Sequence, residues 1–336
     1  MNPIRDSLAH PIGVAIGDML PPEEIPATAR WLEGLGFSHI TVPEDCWYLP
    51  AQVGATLALQ ATDRIPVGTS IVSALTRHPA ILAMELAGIS RAFPGRFWPG
   101  IGLGLPVWLA QMGLMPDRPV AAMREAVTSV KQLLEGQRVD LDGKEFTLDG
   151  IELTHPAQEH VPLTMGVMSP MMLRLAGQIA DATLFAASSG LPYFAHAIGE
   201  VQAGLAKAGR PSDAMAYRTV AVACVDRDGD RARAIARPVM AGFLAEFADM
   251  STITVYGIAD ELADMVRRGG ADAVADEMPD SWLDDLALIG TPEEVVDKVN
   301  RWVAAGIDAI AIFLPHESER DTLALVAQEV IPRLTN

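Results

Sequence analysis

The sequence predicts an α/β fold in which eight parallel strands, each followed by a helix, close into a (β/α)8 TIM barrel. Short apolar runs alternate with longer segments of helical period along the 336 residues. This alternation is typical of a parallel sheet with crossover helices. Eight units that close on themselves favour the barrel, and a doubly wound open sheet is the alternative. Half of the residues are hydrophobic, which is enough for a large core.

The predicted strands are short apolar segments that recur along the whole chain. They lie at Ile12–Ile16, Ser38–Val42, Ile65–Ser70, Arg96–Gly102, Pro162–Val167, Ala182–Ala186, Tyr217–Val225 and Asp308–Phe313. The predicted helices show helical period or begin at proline or acidic residues. They lie at Pro22–Leu35, Ala51–Ala61, Pro79–Ala92, Ala121–Leu134, Pro170–Ile179, Leu191–Ala208, Asp230–Phe247, Pro292–Ala305 and Glu317–Leu334.

Two segments depart from this rhythm. Between residues 136 and 153, the turn Asp142-Gly143-Lys144 separates the extended pieces Val139–Leu141 and Glu145–Leu148, which predicts a small β excursion before strand five. Residues 248–282 contain Gly269-Gly270 and several acids, and short helices with a loop are expected there. No low-complexity run or Ser/Pro-rich linker marks a boundary, so a single domain is expected over residues 1–336.

Composition excludes several classes of function. The chain has 43 acidic and 25 basic residues and a net charge of −18, which argues against nonspecific nucleic-acid binding and against an anionic membrane surface. No apolar run approaches the roughly 20 residues of a membrane span, and the first residues have no apolar signal core. Cys46 and Cys224 show no disulfide or zinc spacing, and the histidines show no metal-ligand spacing. A cytoplasmic protein without a metal is expected.

Four stretches carry a resemblance to a known family. They are Leu32–Glu44; Val67–Ala80 leading into Phe93–Gly104; Leu134–Phe146 with Pro162–Pro170 and Leu175–Asp181 after it; and Leu288–Asp297. In this order and spacing they resemble the luciferase-like flavin-dependent oxidoreductases, especially the branch that uses the deazaflavin coenzyme F420. The resemblance implies hydride transfer between C5 of the deazaflavin and a small organic substrate, and it implies a homodimer.

The first candidate site residues follow strand two, because chemistry in a barrel lies on the loops after the strands. Glu44 and Asp45 stand where similar alcohol- and sugar-oxidising deazaflavin enzymes have Asp-His. They are the candidate catalytic carboxylates, able to hydrogen-bond the ring or to transfer a proton. The alternative is that they only cap the next element. Trp47 is a candidate wall of the substrate pocket, and simple packing is its alternative.

The loop after strand three adds two kinds of candidate. The resemblance implies a non-prolyl cis peptide between Ser70 and Ile71, forming a bulge behind the cofactor ring. Arg77 is a candidate for contact with an anionic cofactor tail or substrate. His78 is a candidate for the substrate pocket, but it precedes Pro79 and equally suits the start of a helix.

Strand four ends in Gly102-Leu103-Gly104, where glycine lets the backbone approach a ring closely. Leu105 follows, where the similar sugar-oxidising enzymes have a glutamate acid. Together with the absent histidine after strand two, this departure favours a reductase over a sugar or alcohol dehydrogenase.

Two further loops are candidates for binding the cofactor's phosphate. Strand five ends in Gly166-Val167-Met168-Ser169, and strand six is followed by Ser188-Ser189-Gly190. Free N–H groups at the start of a helix bind phosphate, and the resemblance places the phosphate at the first of these loops. The alternative is a polar cap on each helix.

Three functions from different classes therefore stand. The first is an F420-dependent oxidoreductase, and the second is an FMN-dependent monooxygenase on the same scaffold. The third is a barrel that binds a cofactor-like ligand without turnover, suggested by the two replaced acid–base positions. The expected partner in each case is a small molecule.

Overall fold

The computed structural model describes residues 2–16, 20–248, 250–313 and 319–334. Its central feature is a ring of eight parallel strands, which we number as barrel strands 1 to 8, so the predicted fold class is confirmed. In chain order they are Ile12–Ala15, Ile40–Val42, Val67–Thr69 with Val72–Ser73, Phe97–Trp98 with Gly100–Gly102, Thr164–Gly166, Ala182–Phe185, Ala216–Val225 and Ala309–Phe313.

The ring closes because each strand pairs with the next and strand 8 pairs back with strand 1. Strands 3 and 4 are each interrupted, and both halves remain paired. Val67 lies opposite Phe97 in the first halves, and Val72 lies opposite Ile101 in the second. Since all eight strands run the same way, their carboxyl ends meet at one end of the barrel, which we call the mouth.

Helices surround the strands, and many have a proline in the first turn, where the lost N–H has no intrahelical acceptor. The α-helices are Pro3–Asp6, Ile25–Leu35, Ala51–Ala61, Pro79–Ala92, Pro106–Met112, Pro119–Leu134, Pro170–Ile179, Leu191–Lys207, Gly229–Glu246, Ser251–Thr254, Ala259–Glu277, Asp280–Leu286, Pro292–Ala304 and Glu319–Leu325. In the part of the chain that the structure describes, no helix is long and apolar enough to cross a membrane.

The β excursion is an antiparallel hairpin of Val139–Asp142 and Thr147–Ile151. The short helices and loop expected in residues 248–282 are present in part: the helix Ser251–Thr254 is followed by a turn at 255–257, but the longer helix Ala259–Glu277 occupies most of the segment. Gly269-Gly270 forms a kink inside the helix Ala259–Glu277, and Gly270 has φ +64°. The predicted closing helix Glu317–Leu334 begins outside the described residues; from Glu319 it is a helix to Leu325, a π-helical turn and a 3-10 turn.

Three elements were not predicted, of which the short helix Pro3–Asp6 precedes strand 1. The helix Pro106–Met112 follows strand 4, and the strand Leu288–Gly290 pairs with the far end of strand 7, where Ala223 lies opposite Leu288. Strand 7 is ten residues long and therefore extends beyond the ring. Its far end packs with the helices Gly229–Glu246 and Ala259–Glu277 in a second apolar cluster beside the main core.

Candidate functional site

The floor of the mouth is built around Ile71. The peptide bond from Ser70 to Ile71 is cis, as the resemblance implied. A Cβ atom on Gly102 would lie 2.5 Å from Ile71 Cδ1, and one on Gly166 would lie 2.7 Å from Ile71 Cγ2. Real Cβ atoms do not approach other atoms so closely, so glycine at these positions lets strands 4 and 5 close around Ile71. The structure therefore brings these four predicted residues together.

One side of the mouth joins the loops after strands 2 and 4. Leu105 is the N-cap residue of the helix Pro106–Met112. Trp47 Nε1 donates a hydrogen bond to Gln111 Oε1 of that helix at 3.3 Å, and 69% of Trp47 is exposed. Trp47 also has φ +78°, a conformation that is an outlier for a bulky residue. Two of the predicted substrate-pocket residues thus lie at the same helix.

The backbone after strand 4 is tied to strand 3. Ser73 Oγ donates a hydrogen bond to the carbonyl of Leu103 at 2.7 Å. Gly104, the next residue, has φ +95°, in the left-handed region that favours glycine. This link holds the predicted cofactor-binding residues Leu103 and Gly104 beside the floor.

The carboxylate of Glu44 is engaged on both oxygens. Arg77 Nη1 and Nη2 donate to Glu44 Oε1 and Oε2 at 2.7 and 2.9 Å, and the N–H of Ala51 donates to Oε2 at 3.2 Å. Glu44 therefore caps the helix Ala51–Ala61, which was the alternative interpretation from sequence. Asp45 is half-buried, and its carbonyl accepts the N–H of Tyr48 at 3.2 Å.

Arg77 bridges two carboxylates, since its Nε also lies 3.3 Å from Glu85 Oε2. His78 is at the start of the helix Pro79–Ala92, where its Nδ1 accepts the N–H of Ala80 at 3.2 Å. The proton of this ring is therefore on Nε2, which donates to the carbonyl of Thr147 in the hairpin at 3.1 Å. Both ring nitrogens of His78 join the helix to the hairpin, which favours the helix-start alternative for this residue.

The loop after strand 6 holds a buried hydroxyl without a partner. Ser188 and Ser189 are each 1% exposed, and Ser188 has φ +63°. Ser188 Oγ donates to the carbonyl of Ala187, whereas Ser189 Oγ has no hydrogen-bond partner among the described residues. Gly190 then begins the helix Leu191–Lys207 as its N-cap residue. A buried, unpaired hydroxyl is costly in a protein interior, so Ser189 marks a position suited to a polar ligand.

The loop after strand 5 lies against the same helix. The carbonyl of Met168 accepts hydrogen bonds from Tyr193 Oη at 3.1 Å and from Ser251 Oγ at 2.8 Å. Val167 is buried, while Ser169 is exposed and is the N-cap residue of the helix Pro170–Ile179 without a side-chain capping bond. The helices that follow the neighbouring strands 5 and 6 therefore both begin near a serine hydroxyl. The Ser169 hydroxyl belongs to an exposed residue, and the Ser189 hydroxyl is buried without a partner among the described residues.

Sequence reasoning did not find Tyr193, Ser251 or Arg218. Tyr193 and Ser251 reach a carbonyl 25 and 83 positions away, and no local motif signals such a contact. Arg218 lies inside the barrel, in a strand that the sequence predicts as apolar. A charged residue within that apolar run was the available signal.

Fold and site together define a (β/α)8 barrel whose mouth combines a floor of glycines around Ile71 with the buried hydroxyl of Ser189. Residues 7–309 match the family described as luciferase-like monooxygenase, and the chain belongs to this family.

Similar proteins include two curated relatives and one solved structure. The chain is 30% identical over 322 residues to 5,10-methylenetetrahydromethanopterin reductase of Archaeoglobus fulgidus, covering 93% of this chain and 96% of the relative. It is 27% identical over 336 residues to F420-dependent glucose-6-phosphate dehydrogenase of Nakamurella multipartita, covering 95% of each. The structure of coenzyme F420 dependent tetrahydromethanopterin reductase from Methanopyrus kandleri superposes with a TM-score of 0.83 at 24% identity, covering 97% of this chain and 99% of that chain.

Proposed function

We propose that this protein is an F420-dependent oxidoreductase that acts as a reductase on a small organic substrate at the mouth of the barrel. The observation that carries the proposal is the mouth itself, where Gly102 and Gly166 close around Ile71 and the buried Ser189 hydroxyl has no partner among the described residues. The similarity to an F420-dependent glucose-6-phosphate dehydrogenase and to the structure of a coenzyme F420 dependent reductase supports the choice of F420 over FMN. The proposal treats residues 1–336 as a single functional domain.

The described residues divide into groups that would hold each part of the cofactor. F420 supplies hydride transfer at C5 of its ring. Ser70, Ile71 and the Gly102-Leu103-Gly104 backbone would support the ring. The loops Gly166–Ser169 and Ser188–Gly190 would bind the phosphate through helix-start N–H groups and hydroxyls. Trp47 and Leu105 would line the substrate side.

The direction of the reaction is argued from two positions. Leu105 and Asp45 stand where sugar- or alcohol-oxidising enzymes of this type have an acid and a histidine. The Glu44 carboxylate is already paired with Arg77. Because the acid and the histidine are both replaced, the chain favours delivery of a hydride to an activated C=C or C=N bond over oxidation of an alcohol. The proton that completes this reduction would come from solvent.

The first test is a titration of the purified protein with oxidised F420 and, separately, with FMN, followed by quenching of cofactor fluorescence. We expect saturable quenching by F420 and no response to FMN. A preference for FMN would overturn the proposal in favour of an oxygen-dependent monooxygenase. Binding of F420 without turnover of any activated C=C or C=N compound would favour a barrel that only binds the ligand.

A matched pair of serine variants tests the phosphate loop in the same assay. Ser189→Ala is expected to weaken F420 binding at least about tenfold, because a hydrogen bond to a charged group contributes about 1.5–3 kcal/mol. Ser90 Oγ is also buried and has no partner within the described part of the chain, but it lies near the C-terminal end of the helix Pro79–Ala92, away from the mouth. Ser90→Ala is therefore expected to leave the F420 affinity unchanged, and equal effects of the two variants would count against the loop.

We also propose a homodimer formed through the outer faces of the helices Ala51–Ala61 and Pro79–Ala92. These helices adjoin, since Gln52 Nε2 donates to Glu85 Oε2 at 3.1 Å. They expose Val53, Ile81 and Met84 by 48%, 47% and 54%. Apolar residues clustered on an exposed face favour association with another protein surface.

Met84→Glu is expected to convert the dimer to monomers, because a carboxylate would be buried unpaired in the interface. Sedimentation velocity measures the change. Val303→Glu is the control, since Val303 is 38% exposed on the helix Pro292–Ala304, outside the proposed interface. A wild-type protein that sediments as a monomer would contradict the proposal.

We also propose a reducing, cytoplasmic setting for the protein, which the two free cysteines support.

A further inference from the structure

Arg218 is a buried cation inside the barrel. It is 1% exposed, and its Nη1 donates to Thr164 Oγ1 at 3.0 Å. Its guanidinium carbon lies 5.4 Å from the centroid of the Trp98 ring. Arg218 Nε and Nη2 are buried and have no hydrogen-bond partner among the described residues. This arrangement is unusual, because a buried charge is normally paired.

The charge of Arg218 persists at neutral pH. Burial lowers the pKa of Arg218 to about 10, and no carboxylate of the described residues raises it. The neighbouring His39 is 1% exposed, and its ring lies 5.8 Å from that of Trp98. Burial, and then the charge of Arg218, lower the pKa of His39 well below its usual range, so His39 is neutral. Arg218 therefore supplies an uncompensated positive charge to the barrel interior beside Trp98 and His39.

The strand positions place this charge directly below the floor of the mouth. Thr164, the partner of Arg218, is two residues before Gly166 on strand 5. Gly68, where a Cβ would lie 3.1 Å from Arg218 Nη2, is two residues before Ser70. With a rise of about 3.3 Å per residue, the strand positions that contact the guanidinium lie roughly 7 Å along the strands from the floor residues.

We propose that Arg218 is a positioning residue that favours the reduced over the oxidised cofactor, an inference that rests on the proposed function. A hydride carries two electrons and one proton, so before any proton exchange with solvent the reduced ring is more negative than the oxidised ring by one charge. When the hydride leaves for the substrate, that charge leaves with it. A fixed cation in a water-excluded interior stabilises the more negative form. The protein therefore captures reduced F420 and releases the oxidised form after hydride transfer.

The test compares the dissociation constants of oxidised and reduced F420, measured anaerobically by calorimetry on the intact protein and four variants. In Arg218→Met the preference for reduced F420 is expected to fall about tenfold, equivalent to about 30 mV for a two-electron couple. Arg218→Lys keeps the charge and is expected to retain most of the preference. Thr164→Val removes the hydrogen bond but not the charge, and it is expected to leave the ratio unchanged.

The possible outcomes separate the two proposals. Arg218→Met replaces an uncompensated buried charge by an apolar side chain of similar length, so it is expected to fold. Arg218→Gln is a second neutral variant, and it can still donate to Thr164. A ratio within twofold of the wild type in both neutral variants would overturn the role of Arg218 while leaving the proposed function intact. Failure of the wild type to bind either form of F420 would overturn the proposed function itself.

Discussion

Replacing Arg77 with methionine is expected to lower the free energy of unfolding by about 2–3 kcal/mol. The variant leaves the Glu44 carboxylate in place with its two-point partner removed. Breaking a fully buried ion pair costs about 3–5 kcal/mol, and the lower figure reflects the 21% side-chain exposure of Arg77. Urea denaturation followed by circular dichroism measures the change.

The double variant Arg77→Met/Glu44→Gln identifies the cause. Glutamine at position 44 can still accept the N–H of Ala51, but it carries no charge to be left unpaired. The double variant is therefore expected to regain at least half of the stability lost in Arg77→Met. If the effects of the two substitutions on the free energy of unfolding are additive instead, the loss in Arg77→Met comes from the contact of Arg77 with Glu85. In that case the ion pair with Arg77 is not the main interaction that holds Glu44.

Replacing Gly166 with alanine is expected to lower the free energy of unfolding by about 1–3 kcal/mol, the usual cost of inserting a methyl group into a packed site. The atoms nearest to the new Cβ all belong to Ile71, with Cγ2 at 2.7 Å and Cγ1 at 3.2 Å. Displacement of Ile71 is also expected to weaken F420 binding, because Ile71 forms the proposed support of the ring. Denaturation and the fluorescence titration measure the two effects.

The variant Ile71→Ala provides the matched background for this prediction. It removes both close atoms and leaves Ile71 Cβ 3.5 Å from the new methyl group, an ordinary contact. In that background Gly166→Ala is expected to cost less than about 0.5 kcal/mol, a favourable coupling in the double-mutant cycle. An undiminished cost would show that Ile71 does not limit the space at Gly166.

Most of the fold was predictable because the signals for strands and helices are local. Apolar runs and helical periods located all eight barrel strands, and the turn at Asp142-Gly143-Lys144 indicated the hairpin. The strand Leu288–Gly290 was not predicted, because three residues before a helix cap carry too little pattern. It is a strand only because the far end of strand 7 provides a partner.

The site was predictable as a set of loops but not as a set of contacts. The glycines after strands 4 and 5 and the cis peptide at Ser70–Ile71 were expected, and these positions meet at the mouth. The partner of Glu44 was not predicted, since Arg77 is 33 positions away and both residues were assigned separate roles. His78 suited either a pocket or a helix start, and its two hydrogen bonds place it at the helix start.

The sequence by itself determined the barrel, its strand order and the loops that surround the mouth, because these depend on apolar period and on residues adjacent in the chain. Only the tertiary structure decided which polar groups are satisfied. Glu44 is paired with Arg77, whereas Ser189 Oγ and two nitrogens of Arg218 are buried without a partner among the described residues. The physical reason is that burial and pairing depend on side chains brought together from distant strands, and no local pattern records which of them meet.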